Sequence, residues 1–204
     1  MTRKDLWATP VWEVDTGLSN KFNADLLAEI NKIQSGPGTQ FNIWNYHTES
    51  INTLRTTILN TINEAIKQDM PSFVQQRLSL NRGWVNFHRT GESLATHSHG
   101  GVAVVCTYYI KAPPNCGDLL LIDPRGGVQW HNQFTPFRRI AVERGLMVIH
   151  PGYLVHFVEP TDYENSTYDY RLAVVSNIHF KFADFVKELE KNEDAVMRMG
   201  SIEV

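Results

Sequence analysis

The sequence predicts a mainly β fold with flanking α-helices, built as a sandwich or jelly roll. Two observations carry that reading. Between about 78 and 180 the chain is a series of short runs rich in Val, Ile, Leu and aromatic residues, broken by Gly, Pro and Asn turns and by no helix-period segment. Ahead of them, two stretches repeat their apolar residues every three or four positions, which lines those side chains along one stripe of a helix.

Residues 6–14 alternate in character and carry Trp7 and Trp12, but Pro10 has no amide to give a neighbouring strand, so an edge strand is expected. After Ser19, the spacing of Phe22, Leu26, Leu27, Ile30 and Ile33 predicts a helix over 20–35, stopped by Ser35-Gly-Pro-Gly38. Ile51, Leu54, Ile58, Ile62, Ala65 and Ile66 predict a second helix over 48–69. Both helices are expected to support one face of a sheet. The β-prone runs are 78–80, 84–88, 102–110, 119–122, 140–142, 146–149 and 171–180. Residues 182–199 place Phe182, Phe185, Val186, Leu189 and Val196 among many charges, the pattern of a helix against the sandwich or of a homodimer contact. The expected organisation is a single domain over 1–204. It comprises an N-terminal strand and supporting helices (1–75), a β core (76–182) and a C-terminal helix (183–204).

A formal charge of −3 and a pI near 6.2 supply no basic field for a phosphate backbone, so nucleic acid is not a favoured partner. Two cysteines, Cys106 and Cys116, are too few for a disulfide framework and fit reduced thiols. No window reaches the roughly 18 apolar residues of a membrane span. The opening Met1-Thr-Arg-Lys-Asp-Leu-Trp7 has no apolar export segment, so a cytoplasmic protein with no membrane partner is expected.

The chemistry concentrates in Gly91-Glu-Ser-Leu-Ala-Thr-His97-Ser-His99. Two imidazoles one residue apart on a strand point to the same side and can grip one ion. His156 follows far downstream, and Arg171 opens the otherwise apolar run 171–180. His47, His131 and His179 are expected to be inert. Imidazoles suit Fe, Zn, Cu and Ni, and a facial set of three protein ligands leaves room for O2 and a co-substrate on non-haem Fe(II). A guanidinium facing a barrel interior is costly without an anion, so Arg171 implies a carboxylate or phosphate.

His97-x-His99, His156 and Arg171 together resemble the 2-oxoglutarate/Fe(II)-dependent oxygenase superfamily over roughly 80–182. Tyr108-Tyr109-Ile110, Gly117-Asp-Leu-Leu-Leu-Ile-Asp-Pro124, Gly145-Leu-Met-Val-Ile-His-Pro151 and His156 with Pro160 are similar to a small branch common in bacteria and marine phages, as is the opening 6–12. The resemblance implies a double-stranded β-helix (jelly roll, cupin-like). It implies a dioxygenase of hydroxylase type that couples oxidative decarboxylation of 2-oxoglutarate to oxidation of a small-molecule or peptide substrate. Fe(II) would be held by His97, His99 and His156, and the far carboxylate of 2-oxoglutarate by Arg171. Tyr109 shares strand parity with the two histidines and is a further co-substrate contact, with Asn86 on the preceding strand.

Two departures stand out. His99 replaces the usual Asp or Glu, so the ion keeps its full double charge. Ala173 replaces a Ser or Thr two residues after the arginine. A three-histidine cupin metalloenzyme, a dioxygenase or isomerase working without 2-oxoglutarate, is the nearest competitor, but it lacks the expected glutamate after His99 and gives Arg171 no purpose. A non-catalytic jelly-roll binding or structural protein is the third reading. Segments 38–48 and 126–137, with Trp130, Phe134 and Phe137, are the expected lids over the barrel mouth.

Overall fold

A computed structural model of the chain describes residues 8–33, 42–69, 78–125, 136–162 and 170–180. In order, the elements are β1 (Trp12–Asp15), α1 (Asn20–Ile33), a 3-10 turn (Ile43–Asn45), α2 (Glu49–Asp69), β2 (Leu78–His88), β3 (Leu94–His97), β4 (Val104–Lys111), β5 (Leu119–Ile122), β6 (Phe137–Ile140), β7 (Leu146–Pro151), β8 (His156–Val158) and β9 (Arg171–Phe180). The strands form a five-stranded sheet, β1-β7-β4-β9-β2, and a four-stranded sheet, β3-β8-β5-β6, with antiparallel pairing throughout. This is the expected double-stranded β-helix with flanking helices. β1 lies at a sheet edge with Pro10 outside it.

The helices begin where their caps allow. Ser19 Oγ accepts from the amide of Phe22 (3.1 Å), satisfying a donor of the first turn of α1. Leu26, Ile30, Ile51, Leu54, Ile58 and Ile62, all at most 1 % exposed, then pack on the outer face of the large sheet. That face is built from alternate residues: Val104, Cys106, Tyr108 and Ile110 of β4, and Leu172, Val174 and Ile178 of β9. The intervening residues of the same strands, among them Tyr109 and Ala173, face the space between the sheets. β4 and β9 are therefore buried on both sides, which is why both read as largely apolar runs. Tyr108 spends its hydroxyl on Asn23 of α1 (2.7 Å), away from the site.

Bulges decide which side chains enter that space. The runs 78–80 and 84–88 are one strand, interrupted by a register shift between Leu80 and Arg82. Before the shift Leu78 and Leu80 pack against the helices; after it Arg82, Trp84 and Asn86 turn inward. Asn42 clamps the bulge, donating through Nδ2 to the Asn81 carbonyl (3.0 Å) and accepting at Oδ1 from the Gly83 amide (3.0 Å). Trp44 lies against Gly83, where any Cβ would collide with the indole.

Several expectations change. The described part of the 38–48 lid is no lid: Ile43 and Trp44 are buried in the core on the helix side of the large sheet. The strand expected at 140–142 is Phe137–Ile140 instead, because Ile140 pairs with Leu119 and ends the ladder. Residues 126–135, with Trp130 and Phe134, and the C-terminal helix with its homodimer contact lie outside the described residues. Among the described residues, no helix is long and apolar enough to cross a membrane.

Candidate metal and co-substrate site

His97, His99 and His156 come together, with one ring nitrogen from each within 4.8 Å of the others. Their delivery differs from the expected strand pair. His97 ends β3, and a register shift between Leu94 and His97 sets it directly opposite His156 on the neighbouring β8, with ring centroids 4.3 Å apart. The strand that supplies the third histidine is thus distant in sequence but adjacent in space, rather than across the barrel. His99 lies beyond the strand end, in the turn before β4. There its amide donates to the Gly152 carbonyl (2.9 Å), and the Gly152 amide donates to the Ala103 carbonyl (3.1 Å). Gly152 permits this approach because a Cβ would run into the Val102 carbonyl and crowd that of His99.

Each ring is aimed by its Nδ1. That nitrogen donates to the Ala95 carbonyl in His97 (2.7 Å), to Asn177 Oδ1 in His99 (2.7 Å) and to the Leu154 carbonyl in His156 (2.9 Å). A carbonyl oxygen can only accept, so Nδ1 carries a proton in all three, and Nε2 is the nitrogen through which each neutral ring would offer a lone pair. An outer partner fixing the tautomer and orientation is the arrangement a metal-binding imidazole requires. Electrostatics agree. Burial pushes His156 down to about 3, helped by His150, His97 and His99 against the pull of the Leu154 carbonyl. Burial also lowers His99, against its bond to Asn177. Both rings are neutral at pH 7, as coordination demands.

The three rings open into a pocket of about 340 Å³ between the sheets. Its floor is the inward row of β9: Arg171, Ala173, Val175 and Asn177. Asn86 and Tyr109 flank Ala173 in register, so both join the pocket. Tyr109 does so from the sheet facing the histidines; strand parity with His97 and His99 is not the reason. Ala173, 3 % exposed, offers no hydroxyl.

Arg171 is 2 % exposed. It donates to the carbonyls of Cys116 (3.3 Å) and Gly117 (3.1 Å) and to Nδ1 of His88, while its Nε has no partner among the described residues. The turn that presents those carbonyls depends on Gly117, whose φ is +74° and whose missing Cβ leaves room for the Glu159 carbonyl. All its partners are neutral: burial, then the Arg171 charge, pushes His88 down to about 4. A buried guanidinium with neutral partners and an orphaned N–H is set to receive an anion. The donor set and this cradle fit a divalent ion and an acidic co-substrate.

His88 and Asn177 were not singled out from the sequence. Nor was His150, 1 % exposed and packed edge-on to His156 with centroids 4.7 Å apart. His150 is also pushed down to about 4 by burial. His88, His150 and His156 all bind a proton more readily unfolded than folded, so their contribution to stability is complete above about pH 6.5 and is withdrawn as the pH falls toward 4. The melting temperature of metal-free protein should fall steadily over that window. A melting temperature flat from pH 7 to 4 would contradict the neutral, buried state of these rings.

Residues 82–177 match the model of a family described as putative 2OG-Fe(II) oxygenase. Among solved structures the chain is similar to a Pseudomonas putida prolyl-4-hydroxylase, with TM-score 0.60, 15 % identity, and 86 % of this chain and 90 % of that one covered. It is also similar to HygX from Streptomyces hygroscopicus with nickel and 2-oxoglutarate bound (TM-score 0.56, 11 % identity, 84 % and 82 % covered). A third likeness is the viral collagen prolyl hydroxylase of Paramecium bursaria Chlorella virus-1 (TM-score 0.56, 12 % identity, 82 % and 94 % covered). At these identities the likeness is one of fold. A comparison with curated proteins gave no match.

Proposed function

We propose, from the premise that residues 82–177 belong to the 2-oxoglutarate/Fe(II)-dependent oxygenase superfamily, that this chain is a hydroxylase holding iron through His97, His99 and His156 and 2-oxoglutarate through Arg171. The observation that carries the reading is the shared pocket: three imidazoles with ring nitrogens within 4.8 Å of one another on one side, and on its floor a buried guanidinium whose Nε has no partner among the described residues.

When bound, the iron and 2-oxoglutarate supply O2 activation and the two electrons for it, so that 2-oxoglutarate, O2 and a C–H substrate become succinate, CO2 and an alcohol. The chain's part is positioning and exclusion of water. The Ala95, Asn177 and Leu154 oxygens hold the imidazoles by their Nδ1 protons, so no rotamer search precedes metal binding. His88 and the Cys116–Gly117 turn hold the Arg171 fork toward the pocket and leave its charge intact. Tyr109, 2 % exposed and raised by burial, remains a phenol and can donate to a carboxylate oxygen. Asn86 takes the Trp84 indole proton on Oδ1 (3.0 Å), leaving its Nδ2 to donate inward.

The test is succinate release. Protein loaded with Fe(II) and given 2-oxoglutarate and O2 should form succinate slowly without substrate, and His156→Ala should not. Tight iron binding with no succinate would instead favour a cupin-type centre.

A further inference from the structure

We propose that Trp84 is a positioning residue for the third metal donor: its indole lies flat against His99 and fixes the plane of that ring. The inference rests on the three-histidine reading above and deepens it.

The three donors are not held alike. His97 and His156 belong to strands of the small sheet, and each ring is anchored by a backbone carbonyl two residues back in its own segment, that of Ala95 or Leu154. His99 lies past the end of its strand, and its ring is anchored from the large sheet by the side-chain amide of Asn177, 78 residues away. The donor set is therefore closed across the gap between the sheets. A side-chain amide is also a softer anchor than a backbone carbonyl. The terminal torsions of His and Asn both lie in broad wells, so ring and amide can turn together without breaking their bond. Such a turn would carry Nε2 away from the point that the other two rings face.

Trp84 supplies the surface that prevents it. Its ring centroid lies 5.7 Å from that of His99, with planes 17° from parallel, the geometry of an offset stack. The indole is set in turn by its own Nε1, which donates to Asn86 Oδ1 (3.0 Å). Register brings it there. Arg82 pairs with Asn177 and Trp84 with Val175, so Trp84 and Asn177 are diagonal neighbours on the inward face of β2 and β9. One holds the edge of the imidazole and the other its face. The bulge between Leu80 and Arg82 turns that part of β2 inward, so an irregularity in the large sheet reaches a donor outside that sheet through one aromatic contact.

The test is a double-mutant cycle on Zn(II) affinity, read by competition with a chromophoric chelator. Trp84→Leu keeps an apolar side chain without a flat ring, and Trp84→Phe keeps the flat ring. Trp84→Leu should weaken zinc binding roughly tenfold, the lower end of the range for groups standing behind a ligand, and Trp84→Phe should retain most of the parent affinity. In a His99→Ala background Trp84→Leu should change nothing, because the ring it acts through is gone. Equal zinc affinity in Trp84→Leu and the parent overturns the proposal. So does an equal loss in both backgrounds, which would mark Trp84 as general support for the sheet. A His99→Ala protein that binds zinc as tightly as the parent would sink the three-histidine reading itself, and would leave Trp84 no donor to place.

Discussion

Arg171→Ala is expected to weaken 2-oxoglutarate binding by about 2–5 kcal/mol, on the order of 30-fold to several thousand-fold, while the metal stays bound. The size follows from burial. Arg171 is 2 % exposed, and its partners among the described residues, Cys116, Gly117 and His88, are neutral acceptors that leave its charge for a carboxylate to meet. Removing it leaves a carboxylate facing carbonyl oxygens with no cation to pair with. Arg171→Lys should recover only part of the loss, because one ammonium cannot reach both turn carbonyls and present a fork. Equal 2-oxoglutarate affinity in Arg171→Ala and the parent would remove Arg171 from this role.

Gly152→Ala is expected to lower metal affinity by roughly 10- to 100-fold, the range found when the groups behind a ligand are disturbed. A Cβ there meets the Val102 carbonyl and crowds that of His99, so the turn that carries His99 must move. The hydrogen bond from the His99 amide to Gly152 moves with it. Gly100→Ala is the matched control, since its Cβ meets nothing within 4 Å in the same turn. Metal titrations should separate the two variants; identical affinities would show that the Gly152 contact does not place His99.

Much of this was legible in the sequence because it is written in local pattern. β9 occupies 171–180 as its apolar run predicts, and both helices follow their three-four spacing. The donor residues were legible as types, since His97-x-His99 is rare chemistry on a short segment. What the residues do not declare is register. The shifts at Leu80/Arg82 and Leu94/His97 are set by partners elsewhere, Asn42 for one and the β8 ladder for the other, and each inverts which side chains face inward. His88 reads as the end of a β-prone run until Arg171 is laid against it, and Asn177 as a polar break in a strand until His99 reaches it. Strand parity suggested Tyr109 for a wrong reason: it lies on the opposite sheet and enters the pocket because Ala173 pairs beside it.

The most direct test of the account is an anaerobic titration of the metal-free protein with Fe(II) and then 2-oxoglutarate, followed by visible absorption. One iron per chain should bind, and 2-oxoglutarate should then raise the weak charge-transfer band of a chelated 2-oxo acid, with the band absent in His156→Ala and requiring far more 2-oxoglutarate in Arg171→Ala. Protein that takes up no iron, or iron whose spectrum 2-oxoglutarate leaves unchanged, would contradict it.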